Sequence, residues 1–174
     1  DLSKSFTQSQ FNDYLLNQLQ LTPGLSHNIE IRVTSFLVGG SEPLVSKILS
    51  FQVTPYSIPP KVPPPSTGKL YLVGSATAGG WNNPVPIPTQ EFTQVTPTLY
   101  EITVSLMGGQ EYLFLPLNGD WGHKYAVADK TVAGLSAGGD FKYDASDNFP
   151  GPAASGNYKI SVDFQRGKFT VTKL

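Results

Sequence analysis

A proline-rich segment divides this chain in two and strongly limits what it can fold into. Residues 57–67 read Ser-Ile-Pro-Pro-Lys-Val-Pro-Pro-Pro-Ser-Thr, with five prolines. Each proline fixes φ and removes a backbone donor, which disfavours a regular hydrogen-bonded element here and favours an extended, semi-rigid conformation. The segment is therefore predicted to be a linker between residues 1–56 and residues 68–174.

The part before this segment is predicted to begin with a short helix. Apolar side chains recur at helical spacing through residues 6–21. Either Ser5 or Thr7 could supply the N-cap oxygen that accepts from the first free backbone amides. The helix is expected to end near residues 22–24, which read Thr-Pro-Gly.

Two alternating runs follow the helix and predict a hairpin. They cover residues 28–36 and 47–53, and residues 38–43 join them. A lone hairpin is only marginally stable in water. Residues 1–56 are therefore interpreted as the C-terminal part of a sandwich domain whose earlier strands are absent.

Almost every signal after the proline-rich segment predicts a strand. The runs are short and evenly spaced, they alternate between apolar and polar residues, and Gly-containing turns separate them. This pattern predicts an all-β fold, with residues 68–174 as a β-sandwich of immunoglobulin-like type. The predicted strands are residues 70–73, 100–106, 111–115, 138–143, 158–164 and 168–172.

The overall composition argues against several classes of partner. Charged residues make up 14% of the chain, against roughly 25% in an average soluble domain. A formal charge of −1 provides no basic field, so neither nucleic acid nor an anionic membrane is expected as a partner. The absence of cysteine excludes a disulfide, a thiolate metal site and a cysteine nucleophile. The chain does not begin with Met and has no signal peptide, so a processed or truncated product is expected.

The two tryptophans lie among Gly and Asn rather than in apolar runs. Trp81 stands in Gly-Gly-Trp-Asn-Asn-Pro (residues 79–84), and Trp121 in Asn-Gly-Asp-Trp-Gly-His-Lys-Tyr (residues 118–125). An indole at a loop tip offers a flat face to a sugar ring, while neighbouring polar groups can pair with hydroxyls around its edge. The predicted carbohydrate contacts are Trp81, Asn83, Asn118, Asp120, Trp121, Lys124 and Tyr125.

Most of these residues also have a structural interpretation, and Lys124 could simply be solvated. Trp121 could pack inward under its turn, and Trp81 could be a half-exposed side chain that stiffens its loop. Asn118 and Asp120 are common turn formers. Tyr125 could simply end a strand. The sequence leaves both interpretations open.

Neither an enzyme nor a metal site is predicted. A glycosidase needs two carboxylates at a fixed separation, and no such pair stands out among the acidic residues of the second part. His27 and His123 are the only histidines and no Gly-X-Ser-X-Gly motif is present, so a serine hydrolase has no support. Asp140, Asp144 and Asp147 could offer oxygens to calcium, but their spacing matches no EF-hand loop. No cofactor is expected.

Taken in order, these motifs resemble the SusE/SusF group of glycan-binding proteins. Residues 19–56 contain Leu-Thr-Pro-Gly, Ile-Glu-Ile-Arg-Val and Phe-Gln-Val-Thr-Pro-Tyr, and they look like the end of the N-terminal immunoglobulin-like domain of SusE-type proteins. The later part looks similar to one glycan-binding module. Its matching pieces are Leu-Tyr-Leu-Val-Gly (70–74), Gly-Gly-Trp-Asn-Asn (79–83), Leu-Tyr-Glu-Ile-Thr-Val (99–104), Asn-Gly-Asp-Trp-Gly (118–122) and the closing Tyr-Lys-Ile-Ser-Val-Asp-Phe run.

The resemblance implies a particular biological setting. It implies a lipid-anchored outer-membrane protein of Bacteroidetes-type bacteria that holds starch or another polysaccharide at the cell surface for uptake proteins. The anchor is not in this chain. Trp81 and Trp121 fall where the starch- and glycogen-binding modules place their two binding tryptophans.

The sequence therefore predicts a non-catalytic carbohydrate-binding protein. A sugar face is expected to stack on one or both indoles, with the polar residues of the same loops around its rim. The alternative is that the sandwiches are structural spacers or protein-docking modules without glycan affinity, and a proline-rich linker suits that alternative equally well.

Overall fold

The chain divides into two compact units, and the division falls inside the proline-rich segment. The computed structural model describes residues 5–36, 39 and 42–174. The first unit is Asp1–Ile58 and the second is Pro59–Leu174. No helix in the described ranges is long and apolar enough to cross a bilayer.

The first unit begins with helix α1 (Gln8–Asn17), which starts at a complete capping box. The Thr7 hydroxyl accepts from the backbone N–H of Gln10 at 3.2 Å, and the Gln10 side chain accepts from the Thr7 N–H at 2.9 Å. Thr7 is thus the N-cap. The helix is shorter than predicted, because Gln20 adopts a left-handed φ of 52° that an α-helix cannot continue through.

Four short strands complete the described part of the first unit. Strand β1 pairs antiparallel with β4, with His27 opposite Val53, and β2 pairs antiparallel with β3. The predicted hairpin is present as β1 and β4, while Val38, Gly40 and Ser41 of the predicted connection lie outside the described residues. The strands are β1 (His27–Ile31), β2 (Thr34–Ser35), β3 (Leu44–Val45) and β4 (Leu49–Val53).

The second unit consists of two antiparallel sheets. One sheet has the strand order β10-β14-β13-β7-β6, and the other has the order β11-β9-β8-β12 with β5 also paired to β8. The strands are β5 (Tyr71–Val73), β6 (Thr93–Thr96), β7 (Leu99–Leu106), β8 (Glu111–Leu115), β9 (Tyr125–Ala126), β10 (Gly138–Asp140), β11 (Lys142–Tyr143), β12 (Phe149–Pro150), β13 (Gly156–Asp163) and β14 (Lys168–Lys173).

Aromatic side chains from both sheets meet in the core of the second unit. Phe149 of β12 contacts Phe169 of β14 edge to face, with ring centroids 4.6 Å apart. Phe114 of β8 lies 4.4 Å from Phe149, and all three rings are buried. Such contacts across two layers define a β-sandwich. The all-β prediction, with one short helix in the N-terminal part, is confirmed.

The strand prediction for residues 138–143 differs from the structure in an instructive way. Residues 138–143, expected as one strand, form β10 in one sheet and β11 in the other. Phe141 lies between them, is buried and packs on Phe164 at 5.1 Å. The chain changes sheet at this residue because its ring is taken into the core between the two layers. Strands β6, β9 and β12 were not predicted.

From Pro59 onward the proline-rich segment belongs to the second unit. The Val62 side chain is buried, and its N–H donates to the carbonyl of Phe164 at 3.2 Å. The Pro63 carbonyl accepts from the Tyr125 hydroxyl at 2.9 Å, and the Thr67 hydroxyl donates to the Pro116 carbonyl at 3.0 Å. The residues between the prolines thus attach this segment to the sandwich.

Candidate functional site

Both tryptophans lie at the surface of the second unit, each on its own loop. The Trp81 loop is defined here as residues 79–85 and the Trp121 turn as residues 118–122. The Trp81 side chain is 42% exposed and that of Trp121 is 50% exposed. These are high values for a residue type that is usually well buried. Neither indole N–H forms a hydrogen bond with a residue in the described ranges.

Two asparagine side chains tie the Trp81 loop to the Trp121 turn. Asn83 accepts from the N–H of Gly119 at 2.6 Å and donates to the carbonyl of Asp120 at 3.1 Å. In the opposite direction, Asn118 accepts from the N–H of Val85 at 2.7 Å and donates to the carbonyl of that same residue at 3.3 Å. Each side-chain amide accepts one hydrogen bond through its oxygen and donates one through its nitrogen, both with a short stretch of backbone in the other loop. These two hydrogen bonds fix the orientation of the amide. The two asparagines therefore position the loops.

A buried glutamine holds the other end of the Trp81 loop. Gln90 is 2% exposed; its side-chain oxygen accepts from the N–H of Gly79 at 2.9 Å, and its nitrogen donates to the carbonyl of Leu72 in β5 at 2.7 Å. A Cβ on Gly79 would approach the Gln90 oxygen to 2.7 Å, so the fit requires glycine here. Sequence reasoning missed Gln90, since a single Gln carries no recognisable pattern.

The Trp121 turn is shaped by glycine and closed by its own aspartate. Gly119 has a φ of 91°, a conformation that residues with a Cβ rarely adopt. Asp120 Oδ1 accepts from the N–H of Gly122 at 2.7 Å, which folds the chain around Trp121. Within the described part of the chain, no hydrogen-bond donor reaches Asp120 Oδ2.

The structure does not bring Tyr125 to the surface with the other predicted residues. Its side chain is 1% exposed, its ring packs edge to face on Phe164 at 4.9 Å, and its hydroxyl donates to Pro63. Burial raises the pKa of this phenol. Tyr125 is a core residue of β9, because its ring packs on Phe141 and Phe164 and its hydroxyl is taken up by Pro63.

Lys124 remains beside the turn and is anchored through its backbone. Its N–H donates to Asp144 Oδ1 at 3.0 Å, while its ammonium forms no ion pair with any residue in the described ranges. Asp144 has a left-handed φ of 51°, which Asp tolerates better than most residues. His123 Nδ1 lies 2.8 Å from the second oxygen of Asp144. The backbone hydrogen bond from Lys124 and then the His123 contact lower the pKa of Asp144, so its carboxylate stays charged and keeps this segment in place.

The other acidic residues considered for calcium are separated and already engaged. Asp140 contacts the ammonium of Lys168 at 3.0 Å, a hydrogen bond that lowers the pKa of this carboxylate. Asp147 accepts from the N–H of Lys130 at 3.0 Å. Among the described residues, no three His, Asp or Glu side chains are grouped as metal ligands.

Comparison with known proteins gives a remote structural similarity. No protein-family model and no curated protein matches the chain. Among solved structures, it is similar to SusF from Bacteroides thetaiotaomicron, with a TM-score of 0.43 and 16% sequence identity. The similarity covers 94% of this chain and 36% of that chain.

Proposed function

We propose that the second unit is a non-catalytic carbohydrate-binding module that holds a polysaccharide at the bacterial cell surface. One observation carries the proposal: both indoles of the chain are about half exposed on two loops that four amide hydrogen bonds hold together. Holding two loops in one arrangement costs conformational entropy. A loop that merely exposes a hydrophobic ring does not need to be held in this way. Fixing two indoles is useful for a site that must be preorganised to bind a flat ring.

The groups around the indoles suit a hydroxylated ligand. Asp120 Oδ2 can accept hydrogen bonds, and the Lys124 ammonium can donate them. We propose Trp81 and Trp121 as the stacking surfaces, with Asp120 and Lys124 pairing with hydroxyls. Asn83 and Asn118 enter the proposal as positioning residues, because their amides are used between the loops, and buried Tyr125 is left out.

The carboxylates of this unit support the non-catalytic part of the proposal. A glycosidase acid needs a raised pKa so that it stays protonated near neutral pH. Hydrogen bonds from Lys130 and Asn148 lower the pKa of Glu111. Hydrogen bonds to Asp140 and to Asp144 likewise lower the pKa of each of these carboxyl groups. These three carboxylates are therefore suited to ion pairing rather than to proton donation.

Binding at a single site of this kind is expected to be weak. An aromatic contact contributes about 0.5–1.5 kcal/mol beyond area burial, and ordering a flexible glycan opposes binding. A dissociation constant of roughly micromolar to millimolar follows. Retention at a surface then requires several modules acting together. The motif resemblance supports the cell-surface setting and glycan-uptake proteins as partners.

Affinity electrophoresis in gels containing starch, glycogen, cellulose, xylan, pullulan or dextran tests the proposal. We expect slower migration in at least one gel, a threefold to tenfold or greater loss of affinity for Trp81→Ala and for Trp121→Ala, and complete loss in the double variant, because each change removes one stacking surface. The chain has only two tryptophans, so fluorescence quenching in each single variant reports on the remaining indole.

Val132→Ala is the matched control, because Val132 is 55% exposed on the same unit and lies outside both loops. It should migrate like the unchanged protein. Normal migration of the unchanged protein in every gel, or undiminished binding by the double variant, would refute the proposal and favour the spacer or protein-docking alternative. Release of reducing ends from any polysaccharide would refute the non-catalytic part.

A further inference from the structure

A groove begins where the Trp121 turn ends. It has a volume of about 360 Å³, which falls within the usual range of small-molecule sites, about 300–1,000 Å³. Pro63 to Pro65 form one wall and Pro116 and Leu117 form another, and Leu117 is 48% exposed. Asp120, His123 and Tyr143 also line the groove.

Two stacked rings are among the residues that line this groove. The imidazole of His123 and the phenol ring of Tyr143 lie 5.2 Å apart at an interplanar angle of 23°. The contact between His123 and Asp144 holds the imidazole in this position. Tyr143 is 41% exposed, and its hydroxyl has no hydrogen-bond partner among the residues that the structure describes. The groove thus presents a braced aromatic surface with a hydroxyl at its edge.

Asp120 belongs to both the groove and the Trp121 turn. Its carbonyl accepts from Asn83 of the Trp81 loop, and its side chain lines the groove. The pKa of Tyr143 is raised by burial and by the negative charges of Asp144 and Asp120, which is consistent with the Asp120 carboxylate lying near the phenol. Asp120, the neighbour of Trp121 in the turn, thus lines the same groove as Tyr143.

We propose that a glycan chain held on the two indoles continues into this groove and places a further pyranose against Tyr143. This inference rests on the proposed function and specifies its ligand: an extended chain of several sugars rather than a terminal disaccharide. The apolar proline walls exclude water along the sugar edges, and Asp120, His123 and the Tyr143 hydroxyl face the polar groups of the sugar. Affinity should therefore rise with chain length until the groove is filled.

Isothermal titration with oligosaccharides of increasing length tests this inference on the full chain. Maltose, maltotriose and maltoheptaose are the first series, with the matching cellulose, xylan and dextran series beside it. We expect the longest member of the series that binds to lose about threefold to tenfold in affinity in Tyr143→Ala, with the disaccharide unaffected. Tyr143→Phe keeps the ring and should retain most of the chain-length dependence.

A second variant keeps the test valid if Tyr143→Ala fails to fold. Leu117→Arg changes an exposed groove residue and lays a long side chain across the groove, so it should lower affinity for long chains only. Binding that is independent of chain length, or unchanged long-chain affinity in both variants, would overturn the inference while leaving the indole site standing. If no oligosaccharide binds at all, the proposed function and this inference both fall.

Discussion

At the scale of single residues, the asparagines that join the two loops show most clearly how the proposed site is held in place. Trp81 and Trp121 were recognisable from their Gly and Asn neighbours, and both lie at the surface. Asn83 and Asn118 were predicted as ligand contacts for the same reason. In the structure their amides bridge the two loops, because short polar side chains facing free backbone groups satisfy those groups. Whether the indoles bind sugar stays a prediction.

Removing Asn118 should impair binding without removing a ligand contact. In Asn118→Ala, the N–H and carbonyl of Val85 lose their partners, and the Trp121 turn loses half of its connection to the Trp81 loop. We expect the melting temperature to fall by an amount equivalent to about 1–2 kcal/mol. Affinity for the bound polysaccharide should fall about tenfold or more. Calorimetry and affinity electrophoresis measure the two effects.

Asn157→Ala is the control for this experiment. Asn157 is an exposed asparagine of β13 in the same unit, so its replacement should alter neither stability nor binding. Unchanged migration of Asn118→Ala in the polysaccharide gel would show that the two loops keep their arrangement without this side chain, and the positioning role would then be abandoned.

At the scale of elements, ion pairs on the open faces link strands to the segments beside them. Glu111 at the start of β8 contacts the ammonium of Lys130 at 2.8 Å and accepts from the side chain of Asn148 at 2.9 Å. Both hydrogen bonds lower the pKa of Glu111 below its ordinary value of 4.5. The sequence could not indicate this cluster, since its three members come from separate parts of the chain and meet only after the sheet forms.

This cluster should contribute to the acid sensitivity of the second unit. The pKa of Glu111 is lower in the folded state than in the unfolded state, so the ionised side chain stabilises the fold at pH values above its ordinary pKa. This stabilisation is lost as the pH falls through the folded-state pKa. Glu111→Gln should therefore lower the melting temperature near pH 7, by about 2 °C for a largely solvent-accessible pair. The further drop on acidification to about pH 3 should be smaller than in the unchanged protein.

Thermal unfolding followed by circular dichroism at both pH values measures this difference. Lys130→Gln removes the main cause of the pKa shift and should flatten the acid dependence in the same way. An acid-induced drop that is as large in Glu111→Gln as in the unchanged protein would contradict the assignment.

At the scale of the whole molecule, the core of the second unit is built from its own residues. The buried cluster extends in sequence from Val62 to Val171 and includes side chains of both sheets. The boundary at Ile58 leaves all of these residues on one side. A domain with its own hydrophobic core and internal sheet pairing is expected to fold independently.

A protein consisting of residues 59–174 should therefore fold and bind like the full chain. We expect one cooperative unfolding transition, an unchanged tryptophan emission spectrum and the same polysaccharide affinity, since both indoles and their supporting loops are retained. Calorimetry, fluorescence and affinity electrophoresis provide the three measurements. A fragment that lacks a cooperative transition, or that folds but loses binding, would show that residues 1–58 complete the second unit or its site.

Sequence alone determined the all-β class, the long central strands of the second unit and the placement of both tryptophans outside apolar runs. Those features are local: alternation over five to eight residues sets which side of a strand is apolar, and Gly and Asn set where the chain turns. Only the tertiary structure decided that residues 138–143 pass between the sheets at Phe141, that Tyr125 is buried, and that Asn83, Asn118 and Gln90 support the loops. Each of these depends on partners distant in the chain, and the sequence pattern around a residue holds no information about which backbone group will face it.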